Sequence, residues 1–374
     1  MFGRSLKLFR IFGFNVRVDI SWTFLALLIA TSLALGFFPN VYEGWPASTY
    51  WWLAIAGVIG VFFSIVIHEL SHSLTARVFG AGMTGITLFM FGGVAEMEHE
   101  PETAKAEFFT AIAGPAISIV LGVLFLWLAS FGGETPTPMI ALADYLGRLN
   151  FILAIFNLLP AFPMDGGRVL RAILWAVKGD LRWATRWASG LGGLFGFVLM
   201  GAGLFAAVSG AFVAGLWWIL IGMFIRGAAQ GSYQQMEVRR LMGGVTVRDL
   251  MHADADNVSP SITIGELVDR HVYQRQQTAF PVVENGAFIG VVDTAHVKAS
   301  PRAEWDRLMV RDIMSKPEEA PVTGPSQDAI IALQALHDGG ADTLIVVENG
   351  RVLGTLSKAD VMKLLSLKMD LEAA

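Results

Sequence analysis

The chain has 374 residues, 54% of them hydrophobic and only 16% charged, with no cysteine and a formal net charge of -5. A mean hydropathy of +0.55 is too high for an ordinary soluble protein and points to several membrane spans in a lipid bilayer. The lack of cysteine excludes disulfides, thiol nucleophiles and thiolate metal sites, and the mild negative charge argues against a nucleic-acid partner.

The N-terminal stretch MFGRSLKLFRIFGFNVRVDI is basic, like the start of a secretory signal. The apolar run behind it has no small-residue cleavage site and is read as a retained first span. Six candidate spans follow the hydropathy, at roughly 20–38, 51–78, 105–130, 140–162, 190–209 and 211–229. Asp144 and Arg148, four apart in the fourth, are predicted to pair on one helix face. That span ends in NLLPAFPMDGG, whose prolines and glycines break a helix. Basic residues cluster before span one, between spans four and five, and after span six. With six spans all of them fall on one side, which puts both termini in the cytoplasm of a multi-pass cell-membrane protein. Between spans two and three, Ile86–Phe91 and Val94–Glu98 read as strands around a Gly92-Gly93 hairpin turn.

Beyond about residue 230 the composition becomes mixed and charged. Residues 1–230 are read as a membrane domain, 231–246 as a linker and 368–374 as a tail. The part between repeats itself: VRDLM at 247–251 recurs as VRDIM at 310–314, and VVENG at 282–286 recurs at 346–350. Two copies of one α/β unit, 247–303 and 304–367, follow, each with a strand pair joined at Asn-Gly.

The chemistry sits in VIHELSHSL. His68 and His72 are four apart, so a helix turns both imidazoles to one face, where they can hold one metal ion. Glu69, beside them, can reach a water activated by that ion and take its proton. A zinc site of this kind wants a third protein ligand, and the candidates are Asp165, His99, Glu96, Glu98 and Glu100. Spans two and four run parallel in the six-span topology. His68 lies about 17 residues, roughly 26 Å, into its span, a depth that Asp165 can share; His99 sits in a charged loop.

HELSH near the end of one span, NLLPAFPMDGG at the end of another, and FGGV and AGPAIS between them resemble the site-2 protease family of intramembrane zinc metalloproteases. The C-terminal repeats resemble a pair of cystathionine-β-synthase (CBS) modules, found in one branch of that family. The resemblance implies a polytopic helical membrane domain of about six spans followed by a soluble α/β CBS pair. It implies one zinc ion per chain on His68, His72 and Asp165, with Glu69 as catalytic base. It implies endopeptidase cleavage of a single-span transmembrane substrate in regulated intramembrane proteolysis, with Asn157 holding the substrate backbone or the oxyanion. Where the family usually has Asn after Gly-Pro, this chain has Ser118. The hairpin at Gly92 and Gly93 is expected to bind an unwound substrate by main-chain pairing. The CBS resemblance implies ATP, ADP or AMP as a regulatory ligand near Ser357 and Asp360, or a homodimer assembled through the modules. A reading of a different class is a CBS-regulated cation transporter or channel, with the intramembrane His and acidic residues along an ion path. Such a path needs neither the His-Glu-x-x-His spacing nor a base beside the two imidazoles.

Overall fold

The computed structural model describes residues 5–81, 83–90, 92–97, 101–133, 136–275 and 277–373. The chain forms two compact units, Met1–Gln234 and Gln235–Ala374.

The first unit opens with strands β1 (Ser5–Ile11) and β2 (Phe14–Asp19), paired antiparallel. Their two-residue turn holds Phe12 and Gly13 at positive φ, as a tight hairpin requires. Strands β3 (Met83–Phe89) and β4 (Gly92–Met97) extend this to a four-stranded sheet in the order β1-β2-β3-β4, with β2 and β3 parallel. The turn differs from expectation. Phe89 pairs with Gly92, so Gly92-Gly93 begins the return strand rather than forming the turn. Phe91 and Glu98 lie outside the described residues.

Among the described residues, six helical segments are long and apolar enough to cross a membrane. The first, Ser21–Val41, joins α1 (Ser21–Ser32), a π turn and α2 (Phe38–Val41). The others are α3 (Ala47–Val78), α4 (Ala104–Ala129), α5 (Pro138–Asn157), α7 (Leu181–Val208) and α8 (Phe212–Met242). Between α5 and α7 lies α6 (Asp165–Lys178), which is short, carries three basic residues and is not a span. Leu27, Trp52, Val120, Ile152 and Leu204 point outward, as lipid-facing side chains do. Arg148 Nε donates to Asp144 Oδ2 at 2.8 Å, the pair expected from their spacing. Residues 231–242, expected in a linker, are helical, and Arg240 pairs with Glu237 one turn away.

Alternation along β2 and β3 turns Phe14, Val16, Ile86 and Leu88 to one face of the sheet. That face packs on Phe62, Val66 and Leu70 of α3. The sheet therefore braces the helix that carries His68, Glu69 and His72.

The second unit has helical turns α9 (Val247–Leu250), α10 (Ile264–Leu267) and α11 (Tyr273–Arg275), then strands β5 (Ala279–Glu284) and β6 (Ala287–Asp293) and helix α12 (Thr294–Ala299). The second copy has α13 (Val310–Ile313), β7 (Val322–Thr323), α14 (Ala329–Asp338), β8 (Thr343–Glu348), β9 (Arg351–Ser357) and α15 (Lys358–Ala373). Both hairpins turn at Asn-Gly, with Asn285, Gly286, Asn349 and Gly350 all at positive φ. The two copies exchange their opening turns. Val247 and Leu250 pack with Leu344 and Leu356 of the second copy, while Val310 and Ile313 pack with Phe280 and Val292 of the first. Each contiguous sequence copy is therefore not a self-contained core.

Candidate metal centre

His68 and His72 project from α3 toward α4, and both are buried, at 3% and 4% exposure. His68 Nδ1 lies 2.9 Å from Ser118 Oγ, and His72 Nδ1 lies 2.7 Å from the Thr110 carbonyl oxygen. A carbonyl only accepts, so Nδ1 of His72 carries the proton; the Ser118 hydroxyl lets His68 do the same. Both Nε2 lone pairs then face the same point, 3.2 Å apart.

Asp165 supplies the third donor. Its Oδ2 lies 3.2 Å from His68 Nε2 and 3.1 Å from His72 Nε2. Bonds of about 2.0–2.1 Å to a tetrahedral ion place ligand atoms roughly 3.3 Å apart. The three atoms thus match one face of such a site. Without a cation, two imidazole lone pairs and a carboxylate in this arrangement would repel; with one they are satisfied. Among the described residues these are the only three His, Asp or Glu side chains that converge in this way. His99, Glu98 and Glu100 lie outside the described residues, as does the Glu96 side chain.

Asp165 does not end the fourth span, as expected, but begins α6. Helix α5 stops at Asn157, and Leu158–Met164 crosses over with a cis Phe162-Pro163 peptide. The reason for the two glycines after Asp165 is contact. A Cβ on Gly166 would collide with the Leu158 and Leu159 carbonyls, and one on Gly167 with Ala161 and Phe162 backbone. Helix α6 is fastened to α4 by Arg171, whose Nε donates to Glu107 Oε1 at 2.6 Å, with both side chains buried.

Helix α4 comes equally close. A Cβ on Gly114 would strike Nε2 of both imidazoles. Gly114 and Ser118 are four residues apart in AGPAIS and so share one helix face. That spacing was readable in the sequence and marks the wall of the centre.

A cavity of about 640 Å³ opens on the three donors. Glu69, Asn157, Arg168, Gly92 and Gly93 line it, and Leu153, Phe156 and Phe224 make apolar walls. Gly93 sits against Glu69: a Cβ there would lie 2.5 Å from Glu69 Cγ. Gly93 therefore serves the approach of β4 to α3 rather than a turn, whereas Gly92 has open space around it and a positive φ that favours glycine. Asn157 lines the cavity, but one of its amide protons goes back to the Leu153 carbonyl at 3.0 Å.

The second unit holds a cavity of about 580 Å³ lined by His252, Asp342, Ser357, Lys358 and Asp360, among others. Ser357 Oγ donates to Asp360 Oδ2 at 2.6 Å, and His252 Nε2 lies 2.8 Å from Asp360 Oδ1. His252 reaches this cleft because the copies exchange their opening turns. The matching positions of the first copy hold Asp293 and His296, 2.7 Å apart, with Ser315 Oγ 2.9 Å from His296 Nε2.

Models of known families match most of the chain. Peptidase family M50 matches residues 56–135 and 134–200, and the CBS domain matches 247–299 and 310–367. Rip3 of Mycobacterium tuberculosis, named as a zinc metalloprotease, is 33% identical over 97% of this chain and 93% of its own length. The zinc metalloprotease MJ0392 of Methanocaldococcus jannaschii is 30% identical over 97% of this chain and 96% of its own. The solved structure of a site-2 protease from Methanocaldococcus jannaschii aligns at 29% identity over 62% of this chain and 95% of that one, with a TM-score of 0.43.

Proposed function

The chain belongs to peptidase family M50, and on that premise we propose that it is a zinc endopeptidase that cleaves transmembrane substrates within or near the bilayer. The observation that carries this reading is the convergence of His68 Nε2, His72 Nε2 and Asp165 Oδ2 at one wall of a cavity that Glu69 also lines. A bound zinc ion would act as a Lewis acid and lower the pKa of water toward about 7.

The side chains divide the remaining work. Ser118 and the Thr110 carbonyl fix the two imidazole rings so that Nε2 faces inward. Glu69 takes the proton of the attacking water and passes it to the departing amine nitrogen. Asn157 holds substrate main chain. Strand β4 is an edge of its sheet and its first residues line the cavity, so an unwound substrate segment can add to it through main-chain hydrogen bonds. Such pairing asks nothing of the substrate's side chains.

The basic loops favour a cytoplasmic location for both termini and the CBS pair. The cleft at Ser357 and Asp360 offers a carboxylate for a ribose and a hydroxyl for a phosphate, which supports ATP, ADP or AMP as a regulatory ligand. Assembly as a homodimer through the CBS pair belongs to the same reading.

The test is Glu69→Gln in the purified full-length protein, with a single-span model substrate. Loss of a general base costs about 10²–10⁴-fold in rate, and zinc content should stay at the wild-type level. Cleavage at the wild-type rate by the zinc-loaded variant rejects the peptidase mechanism. Ion flux in liposomes that survives in Glu69→Gln, with no cleavage by wild type, favours the transporter reading.

A further inference from the structure

Arg168 has no role in the zinc ligation or the base chemistry, yet it lines the same cavity as Glu69 and Asp165. Among the described residues its guanidinium makes no hydrogen bond or ion pair with another side chain. Arg171, three residues along the same helix, contrasts with it, being buried against Glu107. Its charge acts on Glu69 across the cavity without direct contact, so its N–H donors are left to meet a negative group that arrives beside these apolar walls.

The position on α6 fits a reacting group. Three residues advance a helix by about 4.5 Å and bring the chain back to nearly the same face. Arg168 therefore stands one turn beyond Asp165, with its long side chain facing the cavity that both residues line. The other charged or titratable groups there are Glu69, His68, His72 and Asp165. Three of these are committed to the metal centre and the fourth to the proton. Asn157, the residue the resemblance offers for the oxyanion, has already given one amide proton to Leu153.

Resting on the peptidase reading, we infer that Arg168 is a further catalytic residue, which binds the scissile carbonyl oxygen and stabilises the oxyanion that forms on it. In that step the water oxygen bonds to the carbonyl carbon. The π pair moves onto the carbonyl oxygen, and the water proton goes to Glu69. Collapse of the oxyanion then breaks the C–N bond, and the proton from Glu69 goes to the leaving nitrogen. The guanidinium gives up no proton; it offers fixed N–H donors where negative charge develops.

The experiment compares wild type with Arg168→Gln, Arg168→Lys and Asn157→Ala, all full-length in detergent. The probes are a single-span substrate and a phosphinic peptide whose anionic tetrahedral centre mimics the oxyanion. The expected result for Arg168→Gln is wild-type zinc content, kcat lower by about 10²–10³-fold and KM within a few-fold. Its affinity for the phosphinic peptide should fall in parallel, while affinity for the uncleaved amide peptide, measured in the Glu69→Gln background, holds. Arg168→Lys should recover part of kcat, and Asn157→Ala should lose far less. Wild-type kcat in Arg168→Gln, a change confined to KM, or loss of zinc would each overturn the assignment. A zinc-loaded wild type that cleaves nothing overturns the peptidase reading itself, an outcome distinct from cleavage that ignores Arg168.

Discussion

Ser118 Oγ lies 2.9 Å from His68 Nδ1, and both side chains are buried. The hydroxyl is thus an orienting partner for an imidazole whose other nitrogen faces Asp165. Loss of such a partner typically weakens metal affinity by 10–100-fold. Ser118→Ala should therefore bind zinc about 10–100-fold more weakly in competition with a chromogenic chelator. Ser118→Thr, which keeps the hydroxyl, should retain more. An unchanged competition curve for Ser118→Ala would mean that the hydroxyl only fills space.

Gly114 makes a sharper demand, because a Cβ there meets Nε2 of both His68 and His72. On helix propensity alone Gly114→Ala should stabilise α4 by up to about 1 kcal/mol. The prediction is the opposite in function: a folded protein by circular dichroism, with little zinc by atomic absorption and little cleavage. Normal zinc loading would show that α4 can move away from α3 at small cost.

The convergence of His68 and His72 was legible because helical spacing fixes which side chains share a face. The six spans were legible because hydropathy reports lipid directly. The hairpin of β1 and β2 is only weakly written in the sequence: FNVRVD alternates after a Gly-containing turn, but the alternation of LKLFRI is broken where the register shifts between Lys7 and Phe9. Helix α6 was hidden for a different reason. Its boundary depends on glycines packing against the Leu158–Phe162 backbone, a contact between segments that no local pattern reveals. The exchange of opening turns in the CBS pair is likewise non-local, since turns as alike as VRDLM and VRDIM could pack onto either core.

Glu107 and Arg171 hold α6, and with it Asp165, against α4. Removing one partner of a buried pair leaves an uncompensated charge and costs about 3–5 kcal/mol. Glu107→Ala should lower the thermal midpoint in detergent and reduce zinc occupancy. The double variant Glu107→Leu with Arg171→Met should regain stability, because the desolvation penalty is gone from both sides. Equal midpoints for wild type and Glu107→Ala would show that α6 is held mainly by its apolar contacts.

Burial would raise the pKa of Asp360, but hydrogen bonds from Ser357 and His252 outweigh it and hold the carboxyl below its ordinary 3.8. A carboxylate with a depressed folded pKa stabilises the fold above the unfolded value, and that contribution is lost as pH falls through the folded one. Asp360→Asn should therefore reduce hydrogen-exchange protection of β9 at neutral pH. The gap to wild type should narrow below about pH 4. A gap that stays constant into acid would assign the effect to lost packing rather than to charge.

The same carboxylate is the proposed ribose partner in the CBS cleft, and there the ligand must compete with His252. Asp360 Oδ1 already lies 2.8 Å from His252 Nε2, and Oδ2 accepts from Ser357. Asp360→Ala removes the acceptor and should weaken AMP or ATP binding by about tenfold or more, the worth of one charge-assisted hydrogen bond. His252→Ala frees one oxygen and should tighten binding or leave it unchanged, so the two variants move in different directions. Calorimetry on the full-length protein reads both. Flat titrations of wild type with AMP, ADP and ATP would assign the CBS pair to assembly instead.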